Sequence, residues 1–279
     1  MIKTIDIEST ETRELYKYLS NSITPRPIAL VSTIDAKGNK NLSPFSFFNV
    51  FSITPPILVF SPVRRVRNNS SKDTLDNLHQ IKECVIALVT EEIGQQVSLA
   101  SCEFSTNINE FQKGGFTEIK SEEITPPRIK ESPVNFECKV NKIINLGEKG
   151  GAGSLVLCEV LKIHIEESIL NENEIIDPIK LNIISRLGGD WYGKTTPESI
   201  YKIAKPISKI GMGFDNLPKD IRDSTLLTGN ELAILASIEN IPEKEKFDLR
   251  ENKNTKEKHI LAKEFLSQGE TEKAWQMLL

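Results

Sequence analysis

Cysteine is sparse in this chain: Cys84, Cys102, Cys138 and Cys158 are its only cysteines in 279 residues. They are widely spaced and form no C-x-x-C pair, which excludes a disulfide framework and the usual spacing of a structural zinc site. Each sits among apolar or mixed neighbours, so buried reduced thiols are expected. Histidine is scarcer still, with three residues, and neither a Ser-His-Asp order nor a metal-ligand cluster is seen. Long hydrophobic runs are missing as well. The longest, such as Cys84 to Val89, fall far short of the roughly 20 residues a membrane helix needs, so no membrane partner is expected. The start, MIKTIDIESTETRELYKYL, has no basic region followed by an apolar run and a small-residue cleavage site, and a cytoplasmic location is expected. Nor is there an excess of positive charge. A net charge of -4 and a pI near 5.6 argue against a protein that wraps nucleic acid.

What is present is ordinary for a globular protein: 38% hydrophobic and 27% charged residues, in a chain long enough for one large core or two modest ones. Two textures succeed one another. From about Pro27 to Ile165, short runs rich in Val, Ile and Phe recur between turn signals: PIALVSTI, PILVFS, CVIALVT, VNFECKVNKIINL and SLVLCEVLKIHI. These read as strands. DAKGN at 35–39 reads as a hairpin turn and GEKGGAG at 147–153 as the loop of a long two-stranded ribbon, with helical pieces near Thr74 to Ile81 and Glu92 to Ala100. From about Pro197 the pattern turns helical. Thr228-x-x-Glu231 is a capping-box pattern before ELAILASI, and KEKHILAKEFLSQ and ETEKAWQMLL carry apolar residues at helical spacing. Between them PEKEKFDLRENKNTKEK is too polar for a core and is expected to be a mobile connection or an exposed helix start.

Two segments carry candidate chemistry. GEKGGAG is not a dinucleotide fingerprint, because a strand and not a helix comes after it. SPVRRVRNNSSKDT at 61–74 gathers Arg64, Arg65, Arg67 and Lys72 with Ser70, Ser71, Asp73 and Thr74 at an expected helix start. Unpaired N–H groups and the positive end of a helix dipole make such a place an anion site. Taken alone, the segment is explained better by plain capping through Asp73 or Ser71 with the arginines in solvent. The loop Ser43, Pro44, Phe45, Ser46, Phe47, Phe48 shifts that balance: hydroxyls and backbone N–H groups can meet the edge of a flat heterocycle while apolar side chains cover its faces. At least two of these phenylalanines are expected to be core.

The run TPRPIALVSTIDAKGNKNLSPFSFFNVFSITPPILVFSP, followed by KDTLDN, resembles the flavin reductase-like family, and SRLGGDWYG at 185–193 is similar to that family's closing R-x-G-G-x-x-Y segment. The resemblance covers about residues 20–195. It implies a mainly β fold, an antiparallel split β-barrel of Greek-key type with peripheral helices, over residues 1–195, with residues 196–279 as a helical C-terminal extension. It also implies noncovalent FMN and a homodimer. Arg26, Pro27, Thr33 and Asn41 would line the flavin pocket, and Ser43, Pro44, Phe45 and Ser46 would meet the ring and ribityl region. Ser61, Arg67, Lys72 and Thr74 would reach the phosphate, with Asp73 mainly capping. His164, Arg186 and Tyr192 would lie on the nicotinamide or acceptor side. The implied activity is NAD(P)H-dependent reduction of flavin, or of a small acceptor through flavin, with a partner monooxygenase among the acceptors. The alternative is a flavoredoxin-like electron carrier without its own nicotinamide site, and a third reading is an interaction module with an empty barrel.

Overall fold

A computed structural model describes the chain apart from residues 106, 107, 204 and 207–209. It divides into two compact units, Met1–Ile200 and Tyr201–Leu279. In the first, helix α1 (Thr12–Ser22) precedes β1 (Ala29–Ile34), β2 (Lys40–Phe45), β3 (Phe48–Ile53) and β4 (Pro56–Phe60). Then come α2 (Asp73–Gln80), β5 (Glu83–Leu88), α3 (Gly94–Ala100), α4 (Glu110–Gly114), β6 (Glu118–Ile119) and β7 (Arg128–Ile129). The long strands β8 (Val134–Asn145) and β9 (Ser154–Ile165) lead to α5 (Pro178–Leu181), β10 (Ile184–Arg186) and β11 (Tyr192–Lys194).

Seven strands form one sheet in the order β2-β1-β5-β8-β9-β4-β3, with antiparallel neighbours throughout. β1 is buried along its whole length. Its side chains alternate between two cores, as the two-residue period of a strand requires. Ala29 and Val31 join Phe45, Phe60, Ile86 and Cys138 on one face, while Leu30 joins Leu42, Val85, Val97 and Phe111 on the other. The sheet curls without closing, an open barrel whose edge strands β2 and β3 are joined only through Ser46 and Phe47. That corner is the stretch in which hydroxyls and phenylalanines interleave.

The 35–39 turn is held by Asp35, whose carboxylate accepts from the N–H groups of Lys37 and Asn39, both at 2.8 Å, with Gly38 at φ +84°. Cys84, Cys138 and Cys158 are buried, and the Cys84 and Cys158 sulfurs lie 3.8 Å apart in the barrel core. Cys102 departs from the expectation: it is exposed, because it lies in a turn just past the end of α3 and not in a strand. α1 carries no clear start signal. Glu11 precedes it without a side-chain cap, and only Ser20 of the helix is buried.

The second unit is helical: α6 (Lys219–Arg222), α7 (Gly229–Leu235), α8 (Thr255–Ser267) and α9 (Thr271–Leu278) pack Leu232, Leu235, Leu266, Trp275 and Met277 into one core. The capping box before α7 is present, and a second one, Asn254 with Glu257, starts α8. The polar connector packs against the helical core, and its last residues form the exposed start of α8, as one of the two expectations had it. Phe247 rests against Phe265 with ring centroids 6.1 Å apart, and Arg250 donates to the Gln276 and Glu245 carbonyls at 2.9 and 2.7 Å. One aromatic and a set of bonds to main-chain carbonyls dock it, and neither registers in an average of polarity. No helix among the described residues is long and apolar enough to cross a membrane.

Candidate functional site

The segment between β4 and α2 folds around Arg65, whose guanidinium donates to Ser70 Oγ at 3.0 Å and to the Ser71 carbonyl. The glycine-rich ribbon loop clamps it from outside: Arg64 N–H donates to Ala152 O at 2.9 Å and Gly151 N–H to Arg64 O at 3.0 Å. A methyl group at Gly150 would lie 2.9 Å from the Val66 Cα, so a residue without a side chain is required for that approach. GEKGGAG therefore positions the basic loop.

At the start of α2, Lys72 holds the N-cap position with no side-chain cap, and Asp73 is the first helical residue. Asp73 thus does not cap. The Lys72 ammonium is half-buried and, among the described residues, has no hydrogen-bond or ion-pair partner. Burial, with Arg65 alongside, holds its pKa below the ordinary 10.5. Around it, Asn41, Ser43, Arg65, Ser101 and Glu103 enclose a cavity of about 20 Å³. Its floor is a buried relay: Thr74 Oγ1 donates to Asn41 Oδ1 at 2.7 Å, and Asn41 Nδ2 donates to Glu110 Oε1 at 3.0 Å. Glu110 also accepts from Leu42 N–H at 3.2 Å, and burial raises its pKa. The donors suit a phosphate: two cations, the Ser43 hydroxyl and an uncapped helix start, while Ser101 spends its hydroxyl on Ser98 O at 2.6 Å. The space does not, since about 20 Å³ takes one water.

A second cavity, of about 820 Å³, lies beneath α1. Its walls include Tyr16, Leu19, Phe47, Val66, Leu187 and Trp191, and Arg13, Lys17 and Arg186 also line it. Arg26 holds this wall in place. Its guanidinium donates to the Ser20 and Ile23 carbonyls at the end of α1, to Leu187 O at 2.9 Å and to Ser46 Oγ at 3.5 Å.

The structure sorts the expected site residues. Asn41, Ser43, Lys72, Asp73 and Thr74 come together at the small cavity. Thr74, however, has its hydroxyl committed to Asn41, so it supports the site from behind. Thr33 is buried and its hydroxyl accepts from Asn77 Nδ2 at 3.1 Å, and the Arg26 guanidinium spends four of its five N–H donors on carbonyls and Ser46. Phe45 belongs to the core, 5.1 Å from Phe60 between ring centroids. Pro44 lies opposite Leu30 in the β1–β2 ladder, Pro27 is part-buried just before β1, and Ser61 donates its N–H to Phe47 O at 2.8 Å. Arg67 is exposed and paired with Glu103.

On the other side, Arg186 lines the large cavity with its guanidinium 4.5 Å from the Tyr192 ring centroid. His164 lies apart from both. It lines a third cavity of about 430 Å³, and its Nε2 is 2.8 Å from the fully buried Glu137 carboxylate. Sequence reasoning missed α1 as a cavity wall and Glu103 as a partner of the arginines. The first has an apolar spacing that could have flagged it; the second has no local signal.

The profile of the flavin reductase like domain matches residues 21–179. The chain belongs to the flavin reductase-like family. A protein of Aquifex aeolicus without an assigned function is 38% identical over 197 residues, which cover 71% of this chain and 98% of that protein. Two crystal structures share 28% identity with it. Nitrilotriacetate monooxygenase component B from Bacillus cereus has a TM-score of 0.68 over 73% of this chain and 99% of its own. A 2-nitrobenzoate 2-nitroreductase from Pseudomonas fluorescens has a TM-score of 0.66 over 76% of this chain and 100% of its own. Membership of the family places the chain among flavin-related oxidoreductases, and the open antiparallel barrel is the family's split barrel.

Proposed function

We propose that this chain binds FMN noncovalently and serves as an NAD(P)H-dependent reductase of flavin or of a small acceptor through flavin. The observation that carries the reading is Lys72: a half-buried ammonium without a partner among the described residues, at an uncapped helix start beside Arg65 and Ser43. Asn41 at that cavity lies near the start of β2, and Phe47 at the large one lies in the corner just past its end, so about 13 Å of strand from Asn41 to Phe45 separates the two. A molecule with an anionic tail and a flat apolar head suits that separation. Lys72, Arg65 and Ser43 would hold the phosphate, the corner at Ser46 and Phe47 would meet the ring, and the cavity under α1 would admit the hydride donor and acceptor. When bound, the flavin supplies the hydride and electron chemistry, and the protein contributes orientation and shielding. Arg186 would orient an anionic group of the donor or acceptor, and Phe47 and Trp191 would exclude water from the ring side. No acid-base side chain is needed for this.

The same reading covers assembly. Val50, Phe51 and Ile53 are exposed on the edge strand β3, an apolar patch suited to a homodimer interface. A monomer by light scattering at micromolar concentration would overturn that part. The similarity to a monooxygenase component B favours a partner monooxygenase as one consumer of reduced flavin. Lys72→Ala should weaken FMN by about one to two decades and leave riboflavin, which lacks the phosphate, nearly unchanged. Equal weakening of both flavins, or of neither, would move the phosphate away from this cavity. Anaerobic addition of NADH and of NADPH, with flavin absorbance as the readout, separates the reductase from a flavoredoxin-like carrier: failure of both nucleotides to bleach the flavin favours the carrier.

A further inference from the structure

The phosphate cavity already contains an anion. Glu103, in the segment after α3, places one carboxylate oxygen 3.1 Å from Arg65 Nε and the other against an Arg67 guanidinium nitrogen. Its carboxylate therefore stands where a phosphate oxygen would stand, on two of the cations of the basic loop. Desolvation pushes its pKa up, but Arg65, Arg67 and Lys72 together outweigh that and hold it below the ordinary carboxylate value, so Glu103 is charged at neutral pH. The same cavity carries the carboxylates of Asp73 and Glu110. With Glu103 in position the remaining room is about 20 Å³. A phosphate on these cations would have to displace the Glu103 carboxylate, which would then lose both arginine partners.

We propose that Glu103 is an internal competitor that sets the affinity for phosphorylated flavins. The inference rests on the flavin reading above and names how that site is regulated. The geometry has two consequences. Arg65 and Arg67 are partly neutralised before the ligand arrives, which lowers the electrostatic gain from a dianionic phosphate. The competition acts on the phosphate alone, so a flavin without one is indifferent to it. Selectivity between FMN and riboflavin is therefore smaller in this chain than its count of basic residues suggests.

The test compares FMN and riboflavin binding, read by quenching of flavin fluorescence, in wild type, Glu103→Gln and Glu103→Asp. The Gln side chain keeps the size of Glu and removes the charge at a partly exposed position, and the Asp variant keeps the charge. Glu103→Gln should tighten FMN about tenfold and slow its release by a similar factor, with riboflavin unchanged and the Asp variant close to wild type. A Gln variant that binds FMN no better than wild type, or that tightens FMN and riboflavin alike, would falsify the proposal while leaving the flavin reading intact. Absence of binding of either flavin to any of the three proteins would bring down the flavin reading and this inference with it.

Discussion

Lys72 is a half-buried ammonium with no hydrogen bond or ion pair among the described residues, and its burial carries a cost that a bound anion removes. Its pKa in the free protein is lowered by burial first and by Arg65 next, from an ordinary 10.5. A base lowered in this way destabilises the folded protein below its folded-state pKa, and the loss fades as pH rises through that value toward the unfolded one. A bound phosphate reverses the shift. Below the free protein's Lys72 pKa the lysine is charged with and without the ligand, so its proton adds no pH dependence to FMN affinity there. Above the free protein's Lys72 pKa, binding must first restore the proton, and affinity should fall by up to about tenfold per pH unit. The break is expected below 10.5, for FMN and not for riboflavin, and Lys72→Arg should carry it to higher pH. Fluorescence titrations across the alkaline range read this directly; a riboflavin curve with the same break would assign it to some other group. Lys72 was legible in the sequence, since a cation next to a helix start is a local pattern. Glu103 was not, because its pairing with Arg67 spans 36 residues and exists only once β4, α2 and the end of α3 have been brought together.

At the scale of elements, α1 depends on a neighbour with no side chain. A methyl at Gly188 would lie 1.7 Å from Asn21 Oδ1, so with any other residue there Asn21 must leave its place at the end of α1. Asn21 in turn donates to the Lys17 carbonyl at 2.6 Å, inside the helix, and Arg26 takes the Ser20 and Ile23 carbonyls. Gly188→Ala should push α1 off its seat. The expected loss is about 1–3 kcal/mol, the usual range for overpacking, with faster hydrogen exchange confined to α1 and the 186–191 loop. Arg26→Met should loosen the same helix through lost carbonyl partners. Normal protection of α1 in both variants would show that neither contact seats it. Strands were the easier elements to read, because β1 and β4 are short β-branched runs bounded by turns. α1 gave no core signature because its Tyr16 and Leu19 are exposed around a cavity, not packed into a core. The connector before α8 escaped for the opposite reason: one apolar residue, Phe247, and hydrogen bonds to Gln276 dock an otherwise charged segment.

For the molecule as a whole, the candidate site and the helical tail separate cleanly along the chain. Every residue lining the three cavities lies in Met1–Ile200. The Aquifex aeolicus relative is matched over 98% of its length by 71% of this chain, so the fold of that relative is complete without the remainder. Truncation after Ile200 should therefore preserve the sheet and leave FMN affinity within about twofold of the full chain, a difference of about 0.4 kcal/mol. A cut at Ile241, attractive from the polarity of residues 242–258, falls inside the second unit. It would strip Leu266, Trp275 and Met277 from the core and leave Leu232 and Leu235 uncovered, and that product is expected to aggregate. The complementary fragment 201–279 gives the sharper check. It contains a single tryptophan, Trp275, which is 1% exposed and donates its indole N–H to Leu235 O at 3.2 Å. If the unit folds alone, that tryptophan should emit at short wavelength and shift to the red in one cooperative step with urea. Red-shifted emission in buffer would mean that the tail needs the rest of the chain to fold, and the truncation after Ile200 would then have to be judged by its own stability before its flavin affinity could be read.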